Sequence, residues 1–165
     1  MITQKGNKKM YNPITTDGKT SVVMWDYRPF LDENGNEIER GKWQVEKLVG
    51  DISLDRIKTV ILDYYNSKID EKIVSGMVWK NMKIWLSHEN QFNYKAAYDL
   101  AIQTGGKNLP VVFKFGENNV PQYYEFETVE DLSDFYLSSM QHIQQTLEEG
   151  WRLKDSIDWT IYQID

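Results

Sequence analysis

Leu132, Phe135, Tyr136, Met140, Ile143 and Leu147 recur on one side of a 3.6-residue period, with polar residues filling the positions between them. No other feature constrains the chain as strongly. A helix that is apolar along one stripe and wet elsewhere gains its stability from whatever covers the stripe. Thr128 is placed to cap its start, and Asp131, three residues on, imitates a capping box. Gly150 is expected to close it, leaving "WRLKDSIDW" as a short final helix.

Two further helices are expected. Leu54, Ile57, Ile61, Tyr64 or Tyr65, Ile69 and Ile73 follow helical spacing behind Ser53 as N-cap, and Ser75-Gly76 supplies a left-handed stop. Ser87 can cap a helix running through "QFNYKAAYDLAIQTG" to Gly105-Gly106. There Phe92, Ala96 and Leu100, with Ala97 and Ala101, are expected to form a narrow face that another element can approach closely.

Between the helices the period shortens. "MVW" and "MKIWL" flank Lys80-Asn81, a two-residue turn in which Asn suits positive φ and Lys does not. "PVVFKF" and "QYYEF" flank "GENNVP" as a second hairpin. Nearer the amino terminus, "VVMWDYRPFL" and the partly alternating Ile38–Leu48 segment flank "DENGNE", whose Asn34-Gly35 pair favours a reversal. Pro29 places its strand at an edge or near a bend. The expected fold is α+β: antiparallel β-hairpins alternating with three helices, near 54–75, 88–104 and 128–149, packed on one side of the sheet, with an N-terminal β module. The expected division is a basic N-terminal arm without regular structure (1–20), a β-hairpin module (21–50) and an α+β domain (51–165).

Charge narrows the partners. The net charge is −6, yet residues 1–20 hold four lysines against Asp17, so +3 sits there and −9 on the remainder. An acidic body lacks the clustered cations that phosphate contacts require, so no nucleic-acid partner is expected. Lys5, Lys8 and Lys9 are candidates for an assembly arm that docks on an acidic neighbour, another copy of the chain included. The absence of cysteine excludes disulfides, Cys-based zinc sites and thiol nucleophiles. There is no apolar run of membrane-spanning length and no signal-peptide core, so neither a membrane partner nor export is expected.

Motifs for chemistry fail on spacing. "HENQF" at His88 opens like a zinc-protease helix, but Phe92 stands where the second His belongs. "DENGNE" has its glycine at the fourth position of a calcium loop instead of the sixth, and Trp43 replaces the closing Glu. "GGKN" at Gly105 lacks the earlier glycine and the hydroxyl of a phosphate loop. Acidic pairs such as Asp131/Asp134 and Glu148/Glu149 suit a solvated helix face. Ser87-His88 with a distant Asp is no more specific. No catalytic residue, metal or cofactor is expected, and the chain is read as not an enzyme.

The rings are the remaining candidates. Six Trp, ten Tyr and six Phe must supply a large share of the core, and Trp79, Trp85, Tyr94, Tyr98, Tyr123 and Tyr124 exceed what a domain of this size needs. Trp79, Trp85, Tyr94, Tyr123 and Tyr124 are candidate contacts for a protein partner or for sugar rings, which stack on flat aromatic faces; Tyr98 belongs to the same surplus.

From about Ile57 to Trp159 the chain resembles an uncharacterised domain family of phage and prophage genes, found near tail-fibre genes and familiar from gut anaerobes and their phages. The resemblance lies in "IDEKIVSG", "MVWKNMKIWLSHENQFNY", "LPVVFKF", "YYEFETVEDLSDFY" and "HIQQTLEEGWRLKDSID". Residues 1–56 lie outside it. It implies a non-enzymatic virion structural or adaptor protein, associated with tail or head fibres, that acts through protein–protein assembly. The implied partners are other phage structural proteins and further copies of itself, in the virion or in the host cytoplasm during assembly. The alternatives are a tail-fibre assembly chaperone and a carbohydrate-binding module using exposed aromatics.

Overall fold

Three hydroxyl side chains start three helices. Ser53 Oγ accepts from the Arg56 amide at 3.3 Å, Ser87 Oγ from Asn90 at 3.2 Å and Thr128 Oγ1 from Asp131 at 3.2 Å. The computed structural model describes residues 2–7, 12–50, 52–117 and 119–163. Its elements run β1 (Ile2–Asn7), β2 (Ile14–Thr16), β3 (Thr20–Leu31), β4 (Glu37–Val49), α1 (Leu54–Val74), β5 (Met77–Trp79), β6 (Met82–Ile84), α2 (His88–Thr104), β7 (Val111–Glu117), β8 (Val120–Phe126) and α3 (Val129–Asp155), then a 3-10 turn at Trp159–Tyr162. The fold is α+β. Its strands fall into three antiparallel sheets: one of order β1-β4-β3-β2, and the hairpins β5-β6 and β7-β8. The chain divides into two units, Met1–Tyr64 with Ser156–Asp165, and Tyr65–Asp155.

In the first unit, β3 and β4 pair from Thr20↔Val49 to Leu31↔Glu37. Val23, Trp25, Leu48, Ile57, Ile61 and Tyr64 are buried, and the Trp25 and Tyr64 rings meet edge-on at 5.7 Å. The ladder shifts register between Trp25 and Arg28, where Asp26 adopts a φ of 48°. The Asp26 carboxylate holds that bulge, accepting from Tyr64 Oη at 2.5 Å and from Arg28 Nη2 at 2.8 Å. Pro29 lies beyond the Ser21–Val23 stretch that β2 pairs with and next to a register shift between Pro29 and Leu31, an edge and bend position that suits proline. In "DENGNE" the Asp32 carboxylate is occupied by its own turn, accepting the amides of Asn34 and Asn36 at 2.9 and 2.8 Å.

The irregular arm expected before residue 20 is corrected here. Ile2–Asn7 pairs with Arg40–Val45, and Ile14–Thr16 pairs with β3. Both are edge strands held through the main chain, and "TQKGN" carries no apolar alternation by which period could reveal them. Lys5 therefore belongs to a strand. Its cross-strand partner is Lys42, and both ammoniums lie about 6 Å from the Phe30 ring centroid, at 6.0 and 5.9 Å. Lys8 and Lys9 lie outside the described residues.

The second unit is built around rings. Trp79, Tyr94, Phe115, Phe126, Leu132 and Phe135 share one buried cluster. Two departures from expectation shape it. Gly150 does not end α3, which continues to Asp155. A Cβ built on Gly150 would collide with Cγ1 and Cδ1 of Ile69, so its bareness is what admits α1 against α3. The expected face of α2 holds for Ala97 and Ala101 but not for Phe92, Ala96 and Leu100. Tyr94 and Ala101 are the buried residues, with Ala97 and Tyr98 half-buried beside them, while Phe92, Ala96 and Leu100 point outward. Both stripes have helical spacing. The large ring of Tyr94 enters the core at 4.9 Å from both Phe113 and Phe135, and that choice turns Phe92 out.

Candidate functional site

The two hairpins of the second unit have one dry face and one wet face, and strand parity decides which residue is where. A two-residue turn at Lys80-Asn81, with φ of 44° and 62°, sets Trp79 against Met82 and Met77 against Ile84. Those side chains point to the core. Val78 and Lys83, paired with each other, point outward, and Trp85 follows Lys83 by the same parity. Trp79 and Trp85 thus serve opposite faces. In the second hairpin Phe113, Phe115, Tyr124 and Phe126 turn inward, while Val112, Lys114, Tyr123 and Glu125 turn out.

The outward residues of the two hairpins are linked through Trp85. The Lys83 ammonium lies 5.1 Å from the Trp85 ring centroid, and Trp85 Nε1 donates to the Gly116 carbonyl on β7 at 3.0 Å. Two residues along that strand, Lys114 stands opposite Tyr123. Trp85 is 39% exposed and Tyr123 69%, and the outward Val78 and Val112 are exposed as well. A Trp whose indole N–H is satisfied and whose ring remains open is fixed in orientation, so little side-chain entropy is lost when a partner covers it.

Of the five candidate rings, two are therefore corrected. Trp79 and Tyr94, 7% and 4% exposed, are core residues and offer no partner contact. Parity places Trp79 inside, where it stacks on Phe126 at 5.7 Å and donates Nε1 to Asp134 Oδ2 at 3.0 Å. Burial pushes the Tyr94 hydroxyl up to about 12. Tyr124 is half-buried and belongs to a clamp. Lys80 Nζ donates to Tyr124 Oη at 2.7 Å and to Asp131 Oδ1 at 2.5 Å, and Tyr124 Oη donates to Asp131 Oδ2 at 2.7 Å. The Asp131 carboxylate thus serves the hairpin tip, and Thr128 caps α3 without its help. Trp85 and Tyr123 remain on the surface and share a face. The outward Val78, Lys83, Val112 and Lys114 were missed in the sequence, although counting alternate residues from the Lys80-Asn81 turn identifies the first two.

The clamp carries a pH signature. Burial of Asp131 favours its neutral form, but the hydrogen bonds from Lys80 and Tyr124 outweigh this and hold its carboxyl below the usual range. A depressed carboxyl stabilises the fold above its unfolded-state value, and that contribution is lost as pH falls through the folded-state value. The Lys80 ammonium is raised, chiefly by its hydrogen bond to Asp131, so its share is present at neutral pH and lost only above the ordinary lysine range. Chemical denaturation of Asp131→Asn is expected to show lower stability than wild type at neutral pH. The difference should shrink on acidification below about pH 4.

Elsewhere in this unit a cleft of about 170 Å³ opens beside Ile69, Thr146 and Gly150. Its charges pair with each other or with neighbours, Lys72 with Glu149 at 2.5 Å and Lys68 with Glu71 at 2.6 Å. His142 is half-buried, and burial, with Lys72 and Lys83 nearby, lowers its basicity against the opposing pull of Glu149. His88 is the exposed first residue of α2. Among the described residues no group of three His, Cys, Asp or Glu is arranged to hold a metal ion, and no helix is long and apolar enough to cross a membrane.

No curated protein and no solved structure matches the chain. Residues 56–165, which take in α1 almost from its start and everything after it, match the family described as "Domain of unknown function (DUF4376)", and the chain belongs to that family.

Proposed function

We propose that this is a non-enzymatic structural or adaptor protein of a phage particle, associated with tail or head fibres, that works by docking another structural protein on the outer face of its two short hairpins. The observation that carries the reading is the outward set Val78, Lys83, Trp85, Lys114 and Tyr123, in which rings and apolar side chains are mixed with ammoniums on a surface the unit's own core does not use. Fixed aromatic anchors are what protein interfaces favour at their centres, and lysines suit the polar rim around them. The phage setting rests on the family resemblance carried by "MVWKNMKIWLSHENQFNY" and its companion segments. Mass spectrometry of purified particles tests it: the chain is expected among virion proteins, and its consistent absence there removes the structural role. Co-purification with a fibre protein combined with that absence would indicate an assembly chaperone instead.

A carbohydrate-binding module is the second reading, and the open faces of Trp85 and Tyr123 on one surface favour it. A glycan array separates the two. Binding abolished by Trp85→Ala with folding retained would mark a sugar site, and a blank array leaves the protein partner.

A further inference from the structure

The sheet of the first unit carries a row of cations. Lys42 on β4 pairs across the ladder with Lys5 on β1 and with Arg28 on β3, so three positive side chains cross three strands on one face. Arg40, two residues before Lys42 on the same strand, shares that face. All four are exposed, and the half-buried Phe30 ring has the Lys5 and Lys42 ammoniums 6.0 and 5.9 Å from its centroid. Like charges directly opposite each other on neighbouring strands cost stability. Lysine on an edge strand guards it against stray pairing, which accounts for Lys5. It does not account for Lys42, whose strand is paired on both sides. Arg28 has Asp26 at 2.8 Å, while Lys5, Lys42 and Arg40 make no ion pair among the described residues.

We propose that this face docks an acidic segment of a partner protein, a short run of Asp and Glu laid across β1, β4 and β3. Its carboxylates sit between Lys5 and Lys42 and beside Arg40, and the open side of the Phe30 ring takes an apolar side chain of the same segment. A carboxylate between two opposed ammoniums turns their repulsion into two attractions, so a cost carried by the free sheet is relieved on binding. Charge also sets the length of the occupant. The four cations with Asp26 give the patch +3, which leaves −9 on the rest of a chain whose net charge is −6. The outer two of the three strands lie about 10 Å apart, room for a few carboxylates. A nucleic-acid duplex carries a charge about every 1.7 Å and runs on past the patch, where the negative remainder opposes it. A short acidic peptide ends where the cations end. The sheet belongs to the first unit, so this inference stands apart from the proposed function.

A short fluorescein-labelled poly-L-glutamate is the probe, read by fluorescence anisotropy on the full chain. Binding is expected to saturate at low salt and to weaken as salt is raised. The triple substitution Lys5→Gln/Arg40→Gln/Lys42→Gln should weaken it about tenfold. Lys107→Gln, at an exposed lysine after α2, should leave it unchanged. The melting temperature of the triple variant should not fall, because neutralising the row relieves its opposed charges. Absence of saturable binding at low salt would overturn the proposal. So would undiminished binding by the folded triple variant, or an equal loss in Lys107→Gln. A triple variant that melts several degrees below wild type would count against it as well, since the row would then serve the fold. Tighter binding of a short DNA duplex than of poly-L-glutamate, lost in the same variant, would make nucleic acid the partner and overturn it too.

Discussion

Truncating Phe135 to alanine is expected to cost about 3–5 kcal/mol of unfolding free energy, the largest effect of any single side-chain truncation in the second unit. Phe135 is fully buried, and its ring centroid lies 4.9 Å from that of Tyr94, 5.2 Å from those of Trp79 and Phe115, and 5.3 Å from that of Phe126. Its loss removes the one ring that α3 pushes between the two hairpins and α2. The surrounding side chains are flat and rigid, so they collapse poorly into the void, and both transfer and cavity terms apply. Urea denaturation followed by tryptophan fluorescence, to which the neighbouring Trp79 contributes among six tryptophans, checks the value. A cost below about 1 kcal/mol would show that the cluster is not packed as described.

Gly76→Ala is the second large effect and acts through the backbone. Gly76 has a φ of 73°, and a Cβ there would collide with the carbonyl oxygen and carbon of Ile84. A side chain in the way can rotate aside. The Ile84 carbonyl cannot, because β6 is fixed by its pairing with β5 and Ile84 itself is fully buried. The left-handed conformation costs about 1–2 kcal/mol for a residue with a Cβ, and overpacking adds about 1–3 kcal/mol. A loss of about 3 kcal/mol is therefore expected. Gly18→Ala is the control: φ is 84°, yet nothing lies within 4 Å of the added methyl, so only the conformational part remains. Equal losses at both positions in matched denaturation curves would refute the steric argument.

These two sites show what was legible in the chain and why. Ser53, Ser87, Thr128, the Gly76 stop and the Lys80-Asn81 turn could all be read, because each is local chemistry that depends on residues within one turn of itself. β1 could not, since an edge strand with polar residues on both faces carries no period. Gly150 was misread because helix termination and close helix packing both select glycine, and only the position of Ile69 tells them apart. For α2 the sequence holds two valid stripes, and the choice between Tyr94 and Phe92 is made by the space among Phe113, Phe115 and Phe135 on other elements. The candidate site divides the same way. Trp79 and Trp85 look alike in composition, while the parity of a two-residue turn sends one to the core and the other to the surface.

The double substitution Trp85→Ala/Tyr123→Ala tests the central claim most directly, with particle incorporation and thermal stability measured on the same variant. Both rings point away from the core, so the variant should melt within a few degrees of wild type while its incorporation into purified particles falls at least about tenfold. Full incorporation of a well-folded variant would contradict the account, and the outer hairpin face would then have no part in docking.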